Sequence, residues 1–109
     1  MMYLKVEVYI PEKDHHEMMN ALNEAGLLGQ GNYDYVFSAT KVVGHWRPLP
    51  GADPTIGEVG EISREPELKI EFRIEQPQRQ AVEAIIRANH PYEEPAINFI
   101  PLDISDGEQ

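Results

Sequence analysis

The stretch Glu67-Leu-Lys-Ile-Glu-Phe-Arg-Ile-Glu75 decides the fold. Leu68, Ile70, Phe72 and Ile74 alternate with a charged residue at every other position, the period of two that turns one strand face to a core and the other to water. Upstream, Val59 and Ile62 are expected to extend this strand backwards with a break at Pro66, because proline cannot donate to a central ladder. Downstream, Gln76-Pro77 places proline where helices start. Ala81, Val82, Ile85, Ile86 and Ala88 then form an apolar stripe, which predicts a helix over 77–89.

The same signals recur toward the N-terminus. Leu4, Val6, Val8 and Ile10 alternate with Tyr3, Lys5, Glu7 and Tyr9 as a half-buried strand that Pro11 ends. Asp14 and Glu17 have the spacing of a capping box; Met18, Leu22 and Ala25 follow at helical intervals and Gly26 supplies a stop, so a helix is expected over about 14–25. After the glycine-rich link 26–32, Tyr33, Tyr35, Phe37 and Ala39 alternate with polar or smaller residues and predict a second strand running to about Val43. Gly44 to Gly57 carries three prolines and no period, and reads as a long loop between strands. Ile97, Phe99 and Leu102 make a last short strand, and 105–109 reads as a disordered acidic tail. The order is β-α-β-β-α-β, an α+β fold of the ferredoxin-like kind: a four-stranded antiparallel sheet with two helices on one face, in a single domain over 1–104. The opposite sheet face, with Lys5, Glu7, Tyr9, Glu71 and Arg73, is either solvated or paired across a symmetric interface.

At 109 residues the chain has room for one domain. Nine Lys and Arg against nineteen Asp and Glu give a formal charge of −10, a field that repels phosphate backbones, so no nucleic acid is expected as a partner. There is no cysteine, hence no disulfide framework, thiolate zinc site or cysteine nucleophile, which suits a reducing compartment. Charges interrupt the N-terminal apolar residues, so no signal peptide or membrane span is readable and a cytoplasmic protein without membrane contact is expected.

Asn89-His-Pro-Tyr-Glu-Glu-Pro95, following the second helix in a chain of this order, resembles the CutA family, small trimeric relatives of the PII signal-transduction proteins. Gly31-Asn-Tyr-Asp-Tyr35, Gly51-Ala-Asp-Pro-Thr-Ile-Gly57, Gly60 and His90-Pro-Tyr-Glu-Glu-Pro-Ala96 narrow this further. Together they are similar to the PII/CutA-like domain inserted in YqfO-type proteins, relatives of the NGG-interacting factor family, over about Tyr3 to Leu102. The resemblance implies a stand-alone version of that domain and a homotrimer in which three sheets face one another with the helices outside. It does not bring the hydrolase-like function of the larger proteins, whose two-metal centre lies in flanking regions not represented in these 109 residues.

Two segments are singled out as sites. Pro91 forces His90 out of helical geometry at a helix C-terminus, where the macrodipole favours the protonated imidazole, so its charge is expected to change near neutral pH. His90 with Glu93 and Glu94 is a donor set for a divalent metal, Zn²⁺ or Cu²⁺; the alternative is a rigid turn between two prolines, with Tyr92 packed and Glu93 bonded to backbone. His45, Trp46 and Arg47 open the long loop, which in PII proteins reaches ligands and partners. Trp46 offers a stacking face and Arg47 a planar fork for a small anionic ligand, unless the tryptophan only anchors the loop. His15 and His16 are expected to be exposed on different sides of the first helix. Ser38, Thr40 and Ser63 have no base at a motif spacing. The leading reading is a non-enzymatic binding or regulatory module with clefts where the 45–57 loop meets the 90–95 turn, ligand-binding residues being His45, Trp46, Arg47, His90, Tyr92 and Glu93. The alternative is a metal-binding protein or metal-dependent enzyme using His90 and Glu93.

Overall fold

The computed structural model describes residues 2–105. Its strands are β1 (Tyr3–Pro11), β2 (Ser38–Trp46), β3 (Ser63–Glu75) and β4 (Ile97–Leu102), and its helices α1 (His15–Glu24) and α2 (Arg79–Asn89), each entered through a short 3-10 turn. All pairings are antiparallel and the sheet order is β2-β3-β1-β4. This is the β-α-β-β-α-β, ferredoxin-like arrangement expected from the sequence.

Register explains the core. β1 and β3 pair from Tyr3 opposite Glu75 to Pro11 opposite Glu67, so their two alternating apolar sets fall on one face. Leu4, Val6, Val8 and Ile10 lie beside Leu68, Ile70, Phe72 and Ile74, and Met18, Met19 and Leu22 of α1 with Val82 and Ile86 of α2 close over them in one buried cluster. Both helices therefore cover the same face. Each such side chain contributes at most about 1.5–3 kcal/mol. Ala81 and Ala88 are exposed, so the buried stripe of α2 is narrower than its sequence suggests.

Four local expectations are corrected. Asp14 makes no side-chain bond to the start of α1; it ends a 3-10 turn at φ −105°, ψ 1°, away from the extended geometry of a capping residue. At the entry to α2 it is Gln78 that reaches back, its Oε1 accepting from the Glu75 N–H at 2.8 Å. β2 starts at Ser38, not near Tyr33, because Tyr33 closes a tight turn and Tyr35 is held against α1, neither of them in the ladder of the sheet. Gln30 and Tyr33 exchange backbone bonds in a tight turn, and Tyr35, at φ 53°, donates from its N–H to Asn23 Oδ1 at 2.8 Å and from its hydroxyl to Asn20 Oδ1 at 3.0 Å. β2 also runs on past Val43 to Trp46, so His45 and Trp46 belong to a strand rather than to the loop.

The fourth correction is that β3 passes through Pro66 unbroken. β1 ends at Pro11 opposite Glu67, so Pro66 is paired on one side only, with Val43 of β2. The missing N–H lies in a stretch that has no β1 neighbour to serve. Residues 43–46 and 63–66 thus form a two-stranded ribbon projecting beyond the four-stranded sheet, joined by the loop 47–62. Val59 and Ile62 sit in that loop, exposed. Of the acidic tail expected at 105–109, residues 106–109 lie outside the described residues. No helix among those described is long and apolar enough to cross a membrane.

Candidate functional site

Opposed residues of paired strands point to the same face, so the register Val42 to Glu67, Gly44 to Glu65 and Trp46 to Ser63 sets these side chains together on the sheet face turned away from the helices. Alternation alone would leave Glu67 in solvent. Instead it is 5% exposed, because Tyr92 folds over it and donates its hydroxyl to Glu67 Oε2 at 2.6 Å. Gly44 makes the room. A Cβ at that position would run into the Glu67 carboxylate, so the one glycine of β2 lets the carboxylate lie flat on the neighbouring strand.

His90 fixes Tyr92 from behind. Its ring is buried, 8% exposed, with Nε2 at 2.6 Å from the Tyr9 carbonyl and Nδ1 accepting from the Tyr92 N–H at 3.1 Å. A carbonyl can only accept and an amide N–H can only donate, so these two bonds define the neutral Nε2–H tautomer. Burial lowers the imidazole pKa below its ordinary value, against the bond to Tyr9 and the charge of Glu67. The expected helix-terminal protonation of His90 is therefore corrected: desolvation outweighs the macrodipole. Burial, the bond to Glu67 and the charges of Glu67, Glu65 and Asp14 push the Tyr92 phenol well above the usual tyrosine range.

The long loop is fastened to the 90–95 turn. The Asp53 N–H donates to Glu93 Oε1 at 3.0 Å, the Thr55 hydroxyl donates to the Pro91 carbonyl at 2.6 Å, and the Trp46 and Tyr92 rings stand 5.4 Å apart at 55°. Gly57, at φ 99°, brings backbone against Ser63, and its Cβ direction points to the Ser63 hydroxyl. Between loop and turn lies a groove of about 640 Å³ whose lining includes Tyr9, Trp46, Arg47, Glu67 and Tyr92.

His45, Trp46, Arg47, Tyr92, Glu93 and Glu94 all border this groove, whereas His90 lies behind Tyr92 as its support. His45 is exposed, with Nδ1 at 3.1 Å from the Val43 carbonyl, and Arg47 and Glu94 are exposed at the rim. The set expected for a metal does not fit a divalent ion as arranged. Both imidazole nitrogens of His90 are committed to backbone, one Glu93 oxygen is committed to Asp53, and among the described residues no three His, Asp or Glu side chains gather to hold a metal. His15 and His16 are not splayed apart: their rings stack at 4.0 Å, with His15 Nδ1 on the Glu12 carbonyl at 2.8 Å.

Sequence reasoning missed Glu67, Gly44, Asp53 and Thr55. Gly44 carried the signal, since a lone glycine in a strand marks close approach of another group.

A family model described as CutA1 divalent ion tolerance protein matches residues 58–109. A GTP cyclohydrolase 1 type 2 homolog of Staphylococcus aureus is 39% identical over 100 residues, covering 92% of this chain and 27% of the relative. Among solved structures, a Bacillus cereus protein related to NIF3 superposes with a TM-score of 0.80 at 30% identity, over 94% of this chain and 26% of that one. CutA1 from Oryza sativa superposes with a TM-score of 0.72 at 12% identity, over 97% of this chain and 84% of that one, a likeness of fold alone. The chain spans about a quarter of the length of the curated relatives it matches. By sheet order, by the match of its C-terminal part to the CutA1 model and by its likeness to a segment of longer NIF3-related proteins, the chain has a PII/CutA-like fold and resembles the domain those proteins carry.

Proposed function

We propose that this domain is a non-catalytic binding module, holding a small ligand in the groove between the 47–62 loop and the 90–95 turn, and that it works as a homotrimer. The observation that carries the reading is the fastening of loop to turn around Trp46 and Tyr92, which builds a walled groove from segments nearly forty residues apart in sequence. The walls combine aromatic rings and prolines with charged side chains such as Arg47, Glu67 and Glu93, apolar surface with polar groups that can fix a small molecule. Among the described residues no histidine is bonded to Ser38 or Ser63, which gives a hydrolytic reading no support from a nucleophile and base. The homotrimer rests on the sheet face opposite the helices, where Lys5, Glu7, Lys69 and Glu71 are half-buried and mutually paired, so that face meets an identical face at little electrostatic cost.

The chain has a single tryptophan, so its fluorescence reports on the groove wall. Titration with a panel of small anions and cations should shift the emission of Trp46 and raise the melting temperature for at least one member; a panel of both signs that moves neither overturns the binding reading. Light scattering at micromolar concentration should give three times the monomer mass, and a monomer would return the sheet face to solvent.

A further inference from the structure

Glu67 is an unusual occupant of a groove wall. Its side chain is 5% exposed, one oxygen receives the Tyr92 hydroxyl, and among the described residues the other oxygen takes no hydrogen bond, is left open to solvent from the groove, and the side chain enters no ion pair. Buried charges are ordinarily paired, because desolvation leaves them with no other source of stabilisation. Arg47 borders the same groove but stays exposed and forms no ion pair with Glu67. The Trp46 and Tyr92 rings line the same groove as Glu67, tilted at 55° with centroids 5.4 Å apart, a corner whose ring faces attract positive charge. The field there is negative from several directions: Glu67, Glu65 and Asp14 all act on the Tyr92 hydroxyl. This reverses the sign of the ligand suggested by Arg47 alone.

We propose that the groove takes a small organic cation, an alkylammonium or guanidinium group, with its charge set between the free carboxylate oxygen of Glu67 and the rings of Trp46 and Tyr92. The proposal rests on the groove being a binding site and adds the chemical class of its occupant. Gly44 belongs to the device, since any larger residue there would displace the carboxylate from the wall. Tyr92 plays two parts, one ring face for the cation and one hydroxyl that aims the carboxylate.

The experiment titrates the full chain with agmatine and tetramethylammonium, and in parallel with citrate and inorganic phosphate at matched ionic strength, following Trp46 emission and heat of binding. The cations should bind saturably. Glu67→Gln should weaken them at least tenfold, whereas Glu24→Gln, which removes the same charge from the exposed end of α1, should change affinity less than twofold. Tyr92→Phe, which keeps the ring and removes the hydroxyl that aims the carboxylate, should weaken cation binding severalfold, and it carries the test if Glu67→Gln fails to fold, unchanged affinity overturning the part given to Glu67. Equal weakening by the Glu67 and Glu24 variants would reduce the effect to net charge and overturn the proposal. Binding of citrate or phosphate alone overturns it while leaving the groove a binding site; binding of nothing overturns both.

Discussion

Two carboxylates on the same sheet face, Glu7 and Glu67, are solved in opposite ways. Glu7 lies on β1 opposite Glu71 of β3, a like-charge pair that would repel, yet Lys5 approaches Glu7 at 3.2 Å and Glu71 at 2.9 Å while Lys69 stands 3.6 Å from Glu7. Burial would push the Glu7 carboxyl up; the two ammonium groups more than offset it and hold it below the usual carboxylate range. Glu67, at the far end of the same face, has a phenol in place of a cation. The middle of the face is electrostatically closed and its end is open. A surface closed in this way suits contact with its own copy, and one left open suits an exchangeable partner.

The contrast can be attacked from its supports outward. His90→Ala should do the most damage, about 3 kcal/mol, because it strands the Tyr9 carbonyl and the Tyr92 N–H, each costly to leave unbonded. Denaturant melts would show it, and a loss under about 1 kcal/mol would mean that water replaces the ring and that Tyr92 needs no such buttress. Gly44→Ala should cost roughly 2 kcal/mol through overpacking against the Glu67 carboxylate, and pairing it with Glu67→Ala should recover most of that in a double-mutant cycle. Tyr92→Phe should cost about 1.5 kcal/mol, the value of a hydrogen bond to a charged group. Lys5→Met should move the melting temperature least, and the small effect should fade in high salt, because its pairs with Glu7 and Glu71 lie on a half-buried sheet face that solvent still reaches.

Acid separates the two ends as well. The folded-state pKa of His90 lies below its unfolded value near 6.5, so the unfolded chain takes the proton first. Stability from this group is complete above about 6.5 and is lost as pH falls below that value toward the folded pKa. Glu7, also lowered in the folded state, loses its contribution only below the ordinary carboxylate pKa, in a more acidic window. In His90→Gln the loss that begins below about pH 6.5 should flatten while the lower window persists. An unchanged profile would place the titrating group elsewhere.

The fold was legible because one stretch, 67–75, and its partner 3–10 carry strict alternation, and a helical stripe follows each strand. Where reading failed, a tertiary partner had overruled a local pattern. Tyr33 and Tyr35 look like strand residues, but Tyr33 closes a turn with Gln30, and Asn20 and Asn23 of α1 supply Tyr35 with bonds that a ladder would otherwise provide. Pro66 looks like a break, yet how far β1 extends beside it is not written in its own neighbourhood. The two segments of the site were visible as Trp46 with Arg47 and as His90 to Glu94, since proline, aromatic and charged residues in loops stand out. Glu67 was hidden inside the best strand of all, where a charge at that parity is what a solvated face requires. Only Tyr92, twenty-five residues away, makes it otherwise.

The ribbon of residues 43–46 and 63–66 is a cantilever, anchored at one end and flanked by no third strand. Backbone amides there should trade hydrogen for deuterium sooner than those of 67–71, which are clasped from both edges. Trp46 rides on that overhang, so an occupant wedged against it would be felt as stiffening, and slowed deuterium uptake along the beam would betray its arrival before any change of shape.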